Sequence, residues 1–129
     1  MQTAAPGQIV LMLFEGAIRF LDRAENGFQI EDPSESNQTI HNNIQRAQDI
    51  LNELNMALDV EQGGELAQTL RSLYEYMDRR LLESNLQKTP EGLIETRRHL
   101  GVLQKAWEQM LRGGGNASAA MPEPALAAA

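Results

Sequence analysis

The chain has 129 residues, no cysteine and a formal net charge of −7 at pH 7. This length fits one domain, and the missing cysteine excludes disulfides, thiolate catalysis and the common zinc sites. Because lysine and arginine are few and not clustered, we expect no binding to nucleic acid or to an anionic membrane surface.

The first predicted helix runs from about Gly7 to about Gln29 and is unusually apolar. Its apolar residues form two adjacent stripes, Ile9, Leu13, Phe20, Ala24 and Phe28, and beside them Val10, Phe14, Ala17 and Leu21. A helix in a bundle needs one apolar stripe of roughly 100° for the core. The surplus therefore predicts a second contact, made by Val10, Leu11, Met12, Phe14 and Ile18. Gly16 lies inside this helix, where glycine is unfavourable, so we expect it to allow close approach of a neighbour.

The second predicted helix begins after "EDPSE". Asp32 is the expected cap, Pro33 the first helical residue, and Glu35 completes a capping-box pattern. Its apolar stripe comprises Ile40, Ile44, Ala47, Leu51, Leu54 and Leu58, widened by Ile50 and Ala57. Between Glu31 and Asp59 there are six acids and one arginine. These charges either solvate the helix and attract neighbouring helices, or form an acidic face that excludes acidic partners and steers a mixed or basic one.

The stretch "DVEQGGE" is predicted to end the second helix, with Gly63–Gly64 as the turn. The third helix carries Leu66, Leu70, Leu73, Met77 and Leu81 on one stripe. "QKTPEG" then predicts a break, with Thr89 as cap and Pro90 as first residue of the fourth helix. That helix carries Leu93, Leu100, Leu103, Trp107 and Leu111.

Four amphipathic helices joined by short connections predict an all-α fold, an antiparallel up-down four-helix bundle over residues 1–112. Residues 113–129 are rich in glycine, alanine and proline and are predicted to form a flexible tail outside the core. No apolar run is long enough to insert into a membrane, and "MQTAAPGQ" lacks the basic region of a signal peptide.

The sequence offers no pattern for catalysis. A di-metal bundle needs two Glu-x-x-His pairs, but no acid stands three residues before His41, and Glu95 stands four before His99. There is no Gly-x-Ser-x-Gly nucleophile motif and no phosphate-binding loop. We therefore expect no enzyme activity, no catalytic residue, no metal and no cofactor.

Binding is the remaining function class. Met12, Met56 and Met77 are of a type that serves both adaptable binding surfaces and gap-filling cores. Tyr76 and Arg80 lie one helical turn apart on a face next to the third core stripe, and both types are enriched at binding hot spots. The apolar surplus predicts either a groove for another chain or a homodimer interface, and one surface could serve both.

Three stretches resemble the flagellin-specific secretion chaperones of the FliS family. They are "TAAPGQIVLMLFEGAIRFLDRA", "IQRAQDILNELNMALDVEQGGELAQTLRSLYEYMDRRLLESN" and the last helix with its tryptophan. The resemblance extends from Thr3 to about Leu111 and is specific in order and spacing. It implies a non-enzymatic cytoplasmic bundle that binds the C-terminal segment of flagellin in apolar surface grooves and prevents premature polymerisation. It further implies delivery for type III flagellar secretion, with the export apparatus and a co-chaperone or regulator as further partners.

The resemblance, carried onto this chain, gives a set of candidate flagellin-binding residues. Asn85 is expected to bond the backbone of the bound segment. The others are expected to line the groove: Phe14, Ile18, Ile50, Leu54, Met56, Ala57, Leu73, Tyr76, Met77 and Arg80.

The chain departs from the family pattern at three places. A short N-terminal segment with one or two tyrosines is usual before this start, so Met1 suggests a trimmed N-terminus. Ala5 stands where serine is common, which removes a helix cap. The Gly/Ala/Pro-rich tail has no obvious counterpart in the family.

Overall fold

A computed structural model of the chain describes residues 5–113. It contains four helices: α1 (Pro6–Gly27), α2 (Pro33–Met56), α3 (Val60–Gln87) and α4 (Glu91–Gly113). Each of α1 and α3 packs against both α2 and α4, and short connections make consecutive helices antiparallel. The predicted all-α antiparallel bundle is confirmed. Residues 114–129 of the predicted tail lie outside the described part of the chain.

The start of α2 follows the predicted capping pattern. The Asp32 side chain accepts the backbone N–H of Glu35 at 2.8 Å, and Pro33 is the first helical residue. At the start of α1, by contrast, Ala5 provides no side-chain cap, as its alanine side chain predicts.

Two predicted boundaries differ from the structure. The α2 helix ends at Met56, and α3 begins at Val60 because Asp59 caps it by accepting the Gln62 backbone N–H at 3.1 Å. Gly64 does not end α2, but it adopts a positive φ of 61° and interrupts α3. Pro90 is not the first residue of α4: it precedes Glu91, and its carbonyl accepts the Ile94 backbone N–H at 2.9 Å.

The core is formed by one stripe from each helix. In α1 this stripe is Val10, Phe14, Ala17, Leu21 and Ala24, whereas Ile9 is 43% exposed. Val10 and Phe14 therefore belong to the core and not to the predicted surplus, while Met12 is exposed and Leu11 and Ile18 are half-buried. In α3 the core contains Tyr74, which sequence analysis left out, and Leu73 is only half-buried.

Trp107 joins the two ends of the described chain. Its indole N–H donates to the carbonyl of Gly7 at 2.8 Å, and its ring meets Phe14 edge to face with centroids 6.2 Å apart. Such aromatic pairs stabilise beyond the area they bury. This contact fixes α4 against the first turn of α1.

Two glycines mark close approaches between helices. A methyl group on Gly16 would lie 3.4 Å from Cδ1 of Ile50, close to ordinary van der Waals distance, so Ile50 of α2 is the neighbour that packs beside Gly16. Gly92 is tighter still, because a methyl group there would overlap the backbone carbonyl of Arg80 in α3. None of the helices within residues 5–113 has the length and apolar content needed to cross a membrane.

Candidate functional site

A cleft of about 670 Å³ lies between α2 and α3. We call it the α2–α3 cleft; it is lined by Gln48, Asp49, Leu51, Asn52, Asn55, Tyr74, Glu75, Asp78 and Arg79. Leu51 and Tyr74 are core residues and form its floor, while polar residues form its walls. The Gln48 side-chain amide donates to the backbone carbonyl of Asp78 at 3.4 Å across the cleft.

Exposed apolar side chains extend the α2–α3 cleft at both ends. On α2, Met56 is 75% exposed and follows Asn52 by one turn, with its sulfur 3.6 Å from the Asn52 amide nitrogen. On α3, Leu82 and Leu86 follow Asp78 by one and two turns and are 48% and 75% exposed. Exposed apolar surface next to a concave site is typical of protein-binding surfaces.

A small apolar depression adjoins the Met56 end. It is lined by Val10, Leu54, Ala57, Leu58, Leu70, Tyr74 and Trp107. Tyr74 lines both the depression and the α2–α3 cleft. The two concavities therefore share one wall, and an apolar side chain entering the depression would lie close to the cleft.

The cleft is predominantly anionic. Asp49, Glu75 and Asp78 are opposed by one cation in its lining, Arg79. Within the described residues, none of these four groups forms an ion pair. Partial burial raises the pKa of the Asp78 carboxyl, against the lowering influence of Gln48 and Arg79.

A second polar cluster links α3 to α4. The hydroxyl of Tyr76 donates to the carboxylate of Glu95, with the two oxygens at 2.9 and 3.0 Å, and Nε of Arg80 donates to Glu95 at 2.7 Å. Arg80 also pairs with Glu83 at 2.9 Å. These hydrogen bonds, that from Arg80 first and that from Tyr76 second, lower the pKa of Glu95 below its ordinary value.

The Glu95 cluster makes stability depend on pH. Because the folded-state pKa is lowered, the stabilisation is fully present above the ordinary value of 4.5 and is lost as the pH falls through the lower folded value. Glu95→Gln should therefore lower the thermal midpoint near neutral pH and reduce the further loss below pH 4.5. Thermal melts over this range test it, with Glu53→Gln, an exposed acid on α2, as control. Equal acid sensitivity of both variants would contradict the prediction.

Comparison with known proteins identifies the family. A sequence profile described as "Flagellar protein FliS" matches residues 1–113. The chain belongs to the FliS family. It is 31% identical over 110 residues to the flagellar secretion chaperone FliS of Bacillus subtilis, covering 85% of this chain and 78% of that protein. The protein of the same name from Salmonella typhimurium is 36% identical over 108 residues, covering 84% and 78%.

Membership of the FliS family assigns a role as a chaperone in flagellum biogenesis. The relatives carry the name of a chaperone and not that of an enzyme, in line with the function class that the sequence predicts. Within the described residues, no cluster of histidine and acidic side chains could hold a metal ion.

Burial divides the predicted binding residues of this FliS chain into two groups. Phe14, Leu54 and Met77 are at most 3% exposed and belong to the core, so they support the surface from below. The accessible group has exposed Met56 and Tyr76 and half-buried Ile18, Ile50, Ala57, Leu73 and Arg80. Met56 lies at the end of the cleft, whereas Tyr76 and Arg80 lie on the α3–α4 side and are bonded to Glu95.

Asn85 lies in a different environment from the one that sequence analysis expects. It is 8% exposed, its amide nitrogen lies 2.9 Å from Nδ1 of His41, and its amide oxygen accepts from Nζ of Lys88 at 2.6 Å. Its side chain therefore joins α2 to the end of α3. Both polar atoms thus have a partner within the bundle, and a hydrogen bond from Asn85 to a peptide backbone stays a prediction.

Sequence reasoning missed the polar walls of the cleft and the exposed leucines beyond it. The signal was present as spacing: Arg71, Glu75, Asp78 and Leu82 follow the same helical period as the core stripe, displaced by one position. Leu82 and Leu86 lie one turn apart outside that core stripe. An apolar pair in this position indicates a second contact surface.

Proposed function

We propose that this protein is a cytoplasmic chaperone that binds the C-terminal segment of flagellin and keeps it from polymerising prematurely. It then delivers the segment to the type III flagellar export apparatus. Family membership supports the chaperone role. The observation that carries the proposal is the α2–α3 cleft with its exposed apolar ends, Met56 on one side and Leu82 and Leu86 on the other.

The physical basis is folding of an unstructured segment on a rigid surface. Each apolar side chain of the segment that becomes buried contributes about 1.5–3 kcal/mol. Ordering the segment costs about 2–5 kcal/mol or more, so several anchors are needed. The exposed residues Met56, Leu82 and Leu86, with the apolar depression beside the cleft, provide several separate positions for such anchors.

The accessible predicted residues remain part of the proposed surface. Ile50 lies on α2, and Ala57, which follows the last residue of α2 as its C-cap, lines the apolar depression. Leu73, Tyr76 and Arg80 lie on α3, and Ile18 lies on α1. A segment that wraps around the bundle would meet these residues in succession, because α1, α2, α3 and α4 follow one another around it.

Calorimetry with a synthetic C-terminal segment of flagellin from the same source tests the proposal. We expect saturable 1:1 binding with a negative heat-capacity change, because apolar surface is buried. Leu86→Glu should weaken binding about 10- to 100-fold, since one anchor of about 1.5–3 kcal/mol is lost. Val102→Glu is the matched control, because Val102 is 65% exposed on α4, which does not line the cleft.

Two results would contradict the proposal. Equal weakening by Leu86→Glu and Val102→Glu, with the fold intact by circular dichroism, would exclude the cleft as the binding surface. Absence of binding heat at several temperatures, with the protein dimeric at the same concentration, would favour the homodimer interface that the sequence left open. Sedimentation at the calorimetric concentration distinguishes the two results.

A further inference from the structure

The carboxylates of the α2–α3 cleft form no ion pair inside the described part of the chain. Asp49 lies on α2 and Asp78 on α3, and the contact of Gln48 with the Asp78 carbonyl puts both acids at the same level of the cleft. Glu75 lies one turn from Asp78, and the α2 wall adds the amides of Gln48, Asn52 and Asn55. With Arg79 as its one cation, the lining has three negative charges against one positive charge. This charge balance favours a cationic ligand group.

The cation Arg71 is directed elsewhere. Its Nε donates to the amide oxygen of Asn55 at 3.1 Å, at the Met56 end of the cleft. It therefore does not neutralise Asp49 or Asp78 in the middle of the cleft. The only cation on the opposite wall is Arg79, which forms no ion pair with them within the described residues.

Tyr74 provides an independent indication of a ligand. It is 4% exposed, and burial alone raises the pKa of its hydroxyl, with no hydrogen-bond partner contributing. Among the described residues, only Thr96 has a side-chain oxygen that is fully buried and lacks a hydrogen-bond partner. The Tyr74 hydroxyl also has no partner among these residues, so it is not fully buried and still reaches solvent. Tyr74 lines both the cleft and the apolar depression, so a ligand in either concavity can approach this hydroxyl. A buried tyrosine usually has a hydrogen-bond partner, so this neutral donor is available to a ligand oxygen.

We infer that the α2–α3 cleft binds a stretch of the partner segment that carries a lysine or arginine between apolar neighbours. The cationic group lies between Asp49 and Asp78, and a backbone carbonyl of the segment accepts from the Tyr74 hydroxyl. The apolar neighbours pack on Met56 at one end and on Leu82 at the other. This inference rests on the proposed function for the identity of the partner, and it adds the chemistry that selects the bound stretch.

The cleft would thereby contribute specificity as well as affinity. An acidic stretch of equal apolar content meets three carboxylates and is rejected, whereas a basic stretch is steered in by the same field.

The test is calorimetry of the full chain with the synthetic C-terminal flagellin segment and with a version whose lysines and arginines are replaced by glutamine. Asp78→Asn should weaken binding of the natural segment about tenfold, as expected for loss of a partly desolvated charge pair. It should leave binding of the glutamine version unchanged. Glu53→Gln is the matched control: it removes one exposed acid of α2 outside the cleft and should change the affinity less than about twofold.

Tyr74→Phe separates a binding role from a structural one. The aromatic ring is retained and the hydroxyl has no partner within the described residues, so the free energy of unfolding should not fall. Binding of the natural segment should nevertheless weaken several-fold. A loss of stability with unchanged affinity would overturn the role of Tyr74.

The outcomes distinguish this inference from the proposed function. If the natural segment binds and Asp78→Asn behaves like Glu53→Gln, the inference is wrong and the proposed function stands. Equal weakening of both segment versions by Asp78→Asn also overturns it, since the acid then acts without a cation. If the natural segment does not bind at all, both fail. A dimer that dissociates on Asp78→Asn would assign the cleft to a second copy of the chain and overturn the inference.

Discussion

Phe14→Ala should lower the free energy of unfolding by about 3–5 kcal/mol, the range for truncating a fully buried phenylalanine. Phe14 is 2% exposed and packs edge to face on Trp107, which in turn bonds the carbonyl of Gly7. Truncation leaves a cavity where α1 and α4 meet and removes the aromatic contact. Urea denaturation followed by circular dichroism measures the loss.

Met12→Ala is the matched control for this prediction. Met12 lies on the same helix two residues earlier but is 58% exposed, so its truncation should change the free energy of unfolding by less than about 0.5 kcal/mol. Comparable losses for the two variants would contradict the core assignment of Phe14. A Phe14→Ala protein that stays as stable as the parent but no longer binds the flagellin segment would instead make Phe14 a direct contact.

The fold was predictable because helical period and helix ends are local properties of the sequence. Apolar residues at three- and four-residue spacing indicate four helices, and Asp32 with Pro33 indicates where α2 begins. The boundary between α2 and α3 was harder to predict, because two signals in the sequence compete there. Gly63 and Gly64 mark the strongest break in composition, yet Asp59 starts the next helix five residues before Gly64 and the chain only kinks there.

The binding surface was predictable only in part, because α1 has two adjacent apolar stripes and spacing alone does not rank them. Burial depends on the rotation of the whole helix, which the contacts of Gly16 with Ile50 and of Gly7 with Trp107 determine. The α2–α3 cleft depends on the separation of two helices, a quantity that neither helix encodes by itself. In the sequence, the acids of the cleft therefore look like those of an ordinary solvent-exposed helix face.

The two sides of α3 differ in the ion pairs that their side chains form. On the α4 side, Tyr76 and Arg80 are bonded to Glu95 and connect neighbouring helices. On the α2 side, Glu75, Asp78 and Arg79 form no ion pair within the described residues and border an open cleft. Hydrogen bonds also cross from α2 to α3, by Gln48 to Asp78, Arg71 to Asn55 and Asn85 to His41. Contacts on both sides thus keep α3 in position, so the bundle can accept a segment in the cleft without unfolding.

Gly92→Ala should force α3 and α4 apart and destabilise the protein by about 1–3 kcal/mol, the usual cost of overpacking. The added methyl group would overlap the Arg80 carbonyl and lie 2.7 Å from Oγ of Ser84. Ser84 accepts the Leu93 backbone N–H at 3.0 Å in a buried position, so moving the helices apart also weakens this bond. The helix-propensity gain of ~1 kcal/mol for alanine acts in the opposite direction and is too small to compensate.

Gly101→Ala makes the same change on the same helix with the opposite expected sign. A methyl group on Gly101 meets no atom within 4 Å, so only the propensity gain remains and stability should rise by about 0.5–1 kcal/mol. Denaturant unfolding of both variants measures the difference.

Gly92→Ala should also reduce the loss of stability below pH 4.5, because Arg80 and Glu95 move apart with the helices. If both alanine variants are stabilised, α3 and α4 are not in backbone contact at Gly92.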